Sequence, residues 1–447
     1  MRGFNHPLGS SITMLLLSLL ACAPAQGLLA QAAAAAAPAP TAPPTITLDQ
    51  AISLARANEP GFAAAAAASR ISNLDRSNAR AALLPSVTYH NQFVYTQGTG
   101  GPTPRFIANN AVHEYTSQGM VNETVGLQQI TAVSRASAAA AVASAELEIA
   151  RRGLTATVVG LFYGSLAADQ KLTVAQRAAQ EASTFTTLTE RRESAREAAH
   201  ADVVKAQLQQ QQRERDLADA ILQQQKSRLE LAVLLFPDPR SPFTLATAPT
   251  VPPLASRADV EAAATHGNPE LQSALSSLRV SNLDVTAARA AYLPDLALNF
   301  AYGIDASHFA ERGPDGLHNI GYSATATLDI PLWDWLSTER KVRQAKIFRD
   351  SVKTALSATQ RRLIAQLEES YAEASTARDQ LQSLVLSVDT ARESLRLTNL
   401  RYSAGEATVL EVVDAQNSLT GMELLREDGT IRYQTALANL QLLTGTL

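Results

Sequence analysis

The sequence predicts a mainly α-helical chain with a β-barrel contribution, built from two copies of a helix–strand–strand–long helix–helix unit. Three observations carry this. Short matches recur at one fixed offset, long Ala- and Gln-rich stretches run without helix breakers, and four segments alternate apolar and polar residues with period two. Aromatic residues make up only 5% of the 447 residues. Such a composition suits long, closely packed helices better than several globular cores.

The duplication comes first because it organises the rest. Arg80-Ala-Ala-Leu-Leu-Pro85 recurs as Arg289-Ala-Ala-Tyr-Leu-Pro294, an offset of 289 minus 80, or 209 residues. Ser72-Asn73-Leu74-Asp75 recurs as Ser281-Asn282-Leu283-Asp284 at the same offset. More than a hundred residues later, Ser194-Ala195-x-Glu197-Ala198 recurs as Ser403-Ala404-x-Glu406-Ala407. Val203-Val204-x-Ala206-Gln207 likewise recurs as Val412-Val413-x-Ala415-Gln416. One such match between Ala-rich helices could be chance; four in register mark a tandem repeat.

Residues 46–236 form the first repeat and 258–447 the second, separated by a Pro-rich crossing at 237–257. That crossing holds six prolines from Pro237 to Pro253. Each repeat is expected to open with one continuous helix, Leu48 to Leu84 and Ala258 to Leu293. Strands follow at 86–97 and 119–128, and at 295–304 and 321–331. A very long helix comes next, Thr131 to Ser194 and Trp335 to Tyr402. A further helix closes each repeat, Ala201 to Leu235 and Glu411 to Leu443. At 1.5 Å per residue the long helices extend on the order of 100 Å, too long for a globular domain.

Ahead of the repeats, residues 1–25 read as an export signal: Arg2 is the positive start and Met14 to Ala21 the short apolar core. That core is too short to span a bilayer as a helix. Residues 26–45 are an Ala/Pro-rich tether. Cys22, the single cysteine, follows Leu19-Leu20-Ala21 as in a bacterial lipobox and is a possible lipidation site. Alternatively it leaves with the signal, cut after Ala23-Pro24-Ala25.

The strands alternate cleanly. Leu296, Leu298, Phe300, Tyr302 and Ile304 share one face, and Ala297, Asn299, Ala301 and Gly303 the other. Tyr322, Ala324, Ala326, Leu328 and Ile330 oppose Ser323, Thr325, Thr327 and Asp329, while Val87, Tyr89, Phe93 and Tyr95 oppose Thr88, His90 and Gln92. The second strand is weaker: Val121, Val125 and Leu127 share their face with Glu123. A lipid-facing barrel wall alternates in this way, and so does a half-buried sheet in a soluble sandwich. Four strands cannot close a barrel, and an open edge cannot lie in lipid. The membrane reading therefore requires an oligomer, and three chains would supply twelve strands. Loops are expected at Gly98 to Tyr115 and Asp305 to Asn319.

With the duplication, the Pro–strand junctions and the helix breaks in place, the chain resembles the TolC-type outer-membrane factor family from Ile46 onward. Three segments carry the resemblance: Arg289 to Pro294, the strand exit Ile330-Pro331-Leu332-Trp333-Asp334, and Arg401-Tyr402-Ser403-Ala404-Gly405-Glu406-Ala407-Thr408-Val409-Leu410-Glu411-Val412. The resemblance implies a homotrimer with a twelve-stranded β-barrel in the outer membrane and a twelve-helix α-barrel tunnel crossing the periplasm. It implies, too, an equatorial belt, to which the Pro-rich crossing and the C-terminal residues would contribute. Substrates would be received from an inner-membrane transporter and a periplasmic adaptor docked at the tunnel tip, and released outside. The setting would be a tripartite efflux pump or a type I secretion system.

The tip has an account of its own in the residues. Gly405 suits the left-handed position that ends a helix, and Thr408 and Glu411 make a T-x-x-E capping box that begins the next. Any tight helical hairpin would look the same. On the resemblance, Ser403, Ala404, Gly405, Glu406 and Thr408 form the adaptor-docking tip, with Ala195, Arg196 and Glu197 as first-repeat counterparts. Arg196 stands at the glycine position and Ala199 at the Thr408 position, so that turn is expected to be looser or differently shaped. Glu411 and Asp414, three residues apart, lie on nearly one helix face, and Asp202 aligns with Glu411. On the resemblance they form acidic rings at the tunnel entrance, with Tyr402 as a gate residue. Otherwise the acids simply complement a helix dipole. Ala407 occupies the position where several members carry an arginine, so their gating contacts do not transfer.

A formal net charge of −4 supplies no basic field, so nucleic acid is not an expected partner. The histidines, including His90, His113, His200, His266, His308 and His318, are scattered without metal-ligand spacing, and no cofactor, metal site or catalytic set emerges. No Gly-rich phosphate loop is present, so energy for transport must come from a partner. The competing reading is a periplasmic coiled-coil adaptor without a channel. It accounts for Val412, Ala415, Leu419 and Met422 at coiled-coil spacing, but not for four alternating strands.

Overall fold

The computed structural model describes residues 43–95, 113–246 and 253–445. The signal segment, Cys22, nearly all of the tether, most of the first strand–strand loop and residues 247–252 of the crossing lie outside them. From Pro44 onward the chain is one unit. Its elements in order are β1 (Thr45–Ile46), α1 (Leu48–Asn58), α2 (Pro60–Ala81), β2 (Ser86–Tyr95), β3 (His113–Val125), α3 (Leu127–Ser194) and α4 (His200–Leu235). Then follow β4 (Thr244–Leu245), α5 (Arg257–Gly267), α6 (Pro269–Ala290), β5 (Asp295–Ala306), β6 (Ile320–Asp329), α7 (Ser337–Ser403) and α8 (Val409–Thr444). The starts of α1 and α5, α2 and α6, β2 and β5, and α4 and α8 each differ by 209 residues.

The helix expected to run unbroken from Leu48 to Leu84 is two helices, and so is its counterpart. Both breaks fall just before a proline. Glu59 (φ −79°, ψ 119°) and Asn268 (φ −75°, ψ 117°) are extended, because the proline ring clashes with a helical residue ahead of it. Each then caps the next helix. A Glu59 carboxylate oxygen accepts from the Phe62 N–H at 2.5 Å, and Asn268 Oδ1 from the Leu271 N–H at 2.9 Å. A continuous Ala-rich pattern hid both corners.

Four strands form one antiparallel sheet in the order β2-β3-β5-β6. β3 pairs with β5, so the two repeats meet in the middle of the sheet and β2 and β6 form its edges. β3 begins at His113, earlier than the expected 119, and ends at Val125; Leu127 opens α3 instead of extending the strand. The polar run His113 to Gln118 concealed this half of the strand. In the observed register Val87 pairs with Val121, Val121 with Phe300 and Phe300 with Ala324, so the apolar residues of all four strands share one face. Val87, Tyr89, Phe93, Tyr302, Tyr322 and Leu328 on that face are exposed. Gly303 is required where it stands: a Cβ there would collide with the Ser117 carbonyl of β3.

Below the sheet α3 packs along α2, α4, α6 and α8, and α7 along α6 and α8. The largest apolar cluster joins α1, α3 and α4 through Ala51, Val158, Phe162, Leu231 and Leu235, closed by Phe243 beside β4. β1 and β4 pair in parallel there. Arg152 of α3, nearly buried, fastens the second repeat to this region. Its guanidinium donates to the carbonyls of Gly267 at 2.8 Å and Leu442 at 3.4 Å, and to Glu148 Oε1 at 2.6 Å. Gly267 and Leu442 lie at the C-terminal ends of α5 and α8, where backbone carbonyls lack helical partners.

Glu148 thus orients Arg152, and its own carboxyl is pulled from 4.5 to about 2, mainly by the hydrogen bond from Arg151, against burial, with Arg152 adding to the pull. A carboxyl depressed in the folded state stabilises it above the ordinary Glu range and stops doing so as pH falls through about 2. Glu148→Gln is therefore expected to cost about 2 kcal/mol at pH 7 after allowance for partial exposure. The deficit should shrink as pH falls from 4.5 towards 2, read by thermal unfolding of the purified protein. A deficit independent of pH would remove the charge from the explanation.

Candidate functional site: the paired helix tips

At the end remote from the sheet two helical hairpins turn side by side, α3 into α4 and α7 into α8. The second turn is written in its sequence. Gly405 is left-handed (φ 81°). Its N–H donates to the Tyr402 carbonyl at 3.1 Å, and the Glu406 N–H donates to that of Arg401 at 2.9 Å. These two bonds satisfy carbonyls that the helix end leaves free. Thr408 then caps α8: its hydroxyl accepts from the Glu411 N–H at 3.3 Å, while Glu411 Oε1 accepts from the Thr408 N–H at 3.2 Å.

The first turn corrects the expectation of a looser shape. Arg196 adopts the left-handed conformation itself (φ 63°). Its N–H reaches the Glu193 carbonyl and the Glu197 N–H the Arg192 carbonyl, both at 2.8 Å. The two turns are alike. The same pair of bonds holds a residue whose Cβ makes that conformation cost roughly 1–2 kcal/mol. The counterpart of Thr408, Ala199, caps α4 without a side-chain bond.

A cluster of Phe185, Ala206, Tyr402, Val409 and Val412 draws one residue or more from each of the four helices and holds the tips together. Tyr402 is 5% exposed. Its ring tilts against Phe185, its hydroxyl lies 3.5 Å from Thr189 Oγ1, and the Arg192 guanidinium stands 4.6 Å from its ring centre. Arg192 also donates to the carbonyls of Tyr402 at 2.8 Å and Ser403 at 3.1 Å, tying the end of α3 to the end of α7. Sequence reasoning passed over Arg192, though its alignment with Arg401 at the repeat offset marked it. It also passed over Glu423, a buried carboxylate of α8 that pairs with Arg177 of α3 and, at 3.4 Å, with Arg392 of α7.

The acidic residues are in unlike surroundings. Glu411 serves the capping box and lies 3.2 Å from the Arg401 guanidinium. The Thr408 N–H above all, with the Thr408 hydroxyl and the Arg401 charge, holds its carboxyl below the usual glutamate range, against desolvation. Asp414 is exposed and Asp202 half-buried. Ser403, Ala404, Gly405 and Glu406 are exposed at the second tip, and Ala195, Arg196 and Glu197 at the first. Among the described residues no group of three or more His, Cys, Asp or Glu is placed to hold a metal ion.

The backbone strain makes opposite predictions for the two turns. Arg196→Gly should stabilise the protein by about 1 kcal/mol, and Gly405→Ala should destabilise it by a similar amount. Thermal melting of the two variants checks this, and a shift of the same sign in both would contradict it.

Comparison with known proteins places this geometry in context. The family model described as outer membrane efflux protein matches residues 262–446, within the second repeat. Outer membrane protein OprJ of Pseudomonas aeruginosa is 27% identical over 172 residues, 38% of this chain and 36% of that protein. TolC of Vibrio cholerae is 28% identical over 188 residues, 41% of each. The alkaline protease secretion protein AprF of Pseudomonas aeruginosa is 26% identical over 183 residues, 40% of this chain and 37% of AprF. The chain thus matches less than half the length of these relatives. The fold extends further: the Campylobacter jejuni CmeC outer membrane channel superposes with a TM-score of 0.76 at 14% identity, covering 89% of this chain and 85% of CmeC. Vibrio cholerae VceC superposes with a TM-score of 0.75 at 17% identity, covering 89% of this chain and 96% of VceC.

Proposed function

We propose that the chain is a TolC-type outer-membrane factor, seated in the outer membrane with a large periplasmic portion, three copies of which form a passive exit duct; the family match over the second repeat and the similarity to OprJ and TolC support this. The observation that carries this is the sheet. One face presents Tyr89, Phe93, Tyr302, Tyr322 and Leu328 to the surroundings, and its edges β2 and β6 are unpaired among the described residues. The other face carries Thr88, His90, Gln92, Asn299, Ser323, Thr325 and Thr327. Lipid outside, water inside and strand partners from neighbouring copies satisfy all three at once. Three copies give twelve strands in a closed wall. Both tryptophans, Trp333 and Trp335, are exposed just past the end of β6. That is where aromatic side chains gather at a membrane–water boundary. No helix of the described residues is long and apolar enough to cross a membrane. A soluble coiled-coil adaptor would leave the apolar sheet face uncovered.

The long helices then continue the duct through the periplasm to the paired tips, where a periplasmic adaptor and an inner-membrane transporter would deliver cargo. A protein of similar fold named as an outer membrane channel and a relative named for protease secretion both fit that plan. Three copies turn Asp414, Glu411 and Asp202 into rings at the entrance. Because Arg401 faces Glu411, Asp414 contributes the larger share of unscreened negative charge.

Single-channel recording in planar bilayers tests both claims. The wild type should conduct with a modest preference for cations, and Asp414→Asn should reduce that preference more than Glu411→Gln. Conductance with unchanged selectivity in both variants would reject the acidic entrance. A purified oligomer that never conducts would reject the duct.

A further inference from the structure

The exit of β6 leads straight into a strongly basic helix start. Residues 337–353 of α7 hold six lysines and arginines against two acids, in a chain whose formal net charge is −4. The first repeat has nothing like it. At the 209-residue offset Arg340, Lys341, Arg343 and Lys346 answer to Thr131, Ala132, Ser134 and Ser137 of α3. The one cation of that α3 stretch, Arg135, pairs with Asp284 of α6. Both helices are long, follow a strand and pack along α6, so helix formation and packing do not call for the added charge.

Local electrostatics work against these cations. They stand in the first turns of α7, where the helix dipole is positive and acids are favoured. Arg349 and Lys353 share Asp350 further along, at 2.8 and 3.8 Å, and Arg340 donates to the Trp335 carbonyl at 2.8 Å. Lys341, Arg343 and Lys346 have no ion pair or hydrogen bond among the described residues, and all three are exposed. Immediately ahead of them lie Ile330, Leu332, Trp333, Trp335 and Leu336, each more than half exposed. Trp335 and Leu336 are both left-handed (φ 55° and 61°), a conformation that side chains disfavour. The turn is held in spite of that, with its apolar side chains outside.

Helical side chains lean towards the N-terminus, so the cations of α7 lean back towards this apolar turn. At 1.5 Å per residue Lys341, Arg343 and Lys346 stand about 6, 9 and 14 Å beyond the start of α7. Their long stems bring the charges within a Debye length, about 8 Å at physiological salt, of a surface drawn at the tryptophans. Lys353, about 24 Å along, is out of range.

We propose that the start of α7 binds the anionic headgroups of phospholipids in the periplasmic leaflet, with Lys341, Arg343 and Lys346 meeting the phosphates and the turn from Trp333 to Leu336 seated among the headgroups. A lipid fits better than a soluble anion because the unpaired charge stands directly against exposed tryptophan and leucine. The inference rests on the membrane-spanning sheet proposed above and adds a lipid preference to its periplasmic rim.

The test compares binding of phosphatidylglycerol and phosphatidylcholine to the full-length protein, purified in nonionic detergent, by native mass spectrometry. Each Lys or Arg near an anionic surface favours it roughly fivefold. The wild type should therefore hold phosphatidylglycerol at least about tenfold more tightly, and the preference should shrink as salt is raised. Lys341→Gln, Arg343→Gln and Lys346→Gln together should bring the two lipids close to parity. The pair Lys341→Arg and Lys346→Arg should keep the preference, and so should Lys353→Gln. Glycerol phosphate, which has the headgroup chemistry without acyl chains, should not displace the lipid at equal concentration. A triple variant that keeps the preference, or glycerol phosphate that competes as well as the lipid, would overturn the site. So would a triple variant whose oligomer falls apart without added lipid, because the cations would then serve contacts between copies. A wild type without the preference would overturn this inference, and its conduction in planar bilayers would leave the duct standing without it.

Discussion

Backbone N–H and C=O groups along the outer edges of β2 and β6 need partners, and hydrocarbon supplies none. Most of the architecture follows from that requirement once the sheet is placed in the membrane. Among the described residues the main sheet of a single chain has four strands and two unpaired edges, so it cannot close a wall alone. The duplication bears on this requirement, because the two halves of one chain already pair through β3 and β5 in the middle of the sheet. The same logic extends down the helices. α3 packs along α2, α4, α6 and α8 within the chain, whereas α7 packs along α6 and α8.

Helix ends form a second constraint. Each long hairpin concentrates unsatisfied carbonyls at α-helical C-termini, and the structure meets them repeatedly with arginine. Arg152 serves α5 and α8, and Arg192 serves α7. A guanidinium near such an end is favoured both as a fork of donors and as a positive charge facing the negative end of the helix dipole. Tip geometry is therefore set by backbone satisfaction as much as by apolar packing. That explains how Arg196 can occupy a left-handed position, which glycine would adopt without strain, and still close the same turn.

Much of this was legible in the sequence because it rests on local rules. Period two in Leu296 to Ile304 and period-fixed offsets between repeats need no knowledge of the fold. The turn at Gly405 and the cap at Thr408 depend on neighbours within six residues, and the structure has both. The corners at Glu59 and Asn268 were written just as locally, as a capping residue followed by proline, but an Ala-rich helical pattern on both sides masked them. β3 was half missed because His113 to Gln118 is polar on both faces. What no local rule could reach was the partner of Arg192, more than two hundred residues away, or the burial of Glu423 between Arg177 and Arg392. Those contacts exist only once the two hairpins lie side by side.

The requirement that the sheet edges find partners in other copies is tested most directly by counting chains. Native mass spectrometry of the protein released from outer membranes in mild detergent should give a particle of three chain masses, the number that closes twelve strands. A particle of one or two chain masses, stable under the same conditions and competent to conduct, would contradict the account at its foundation.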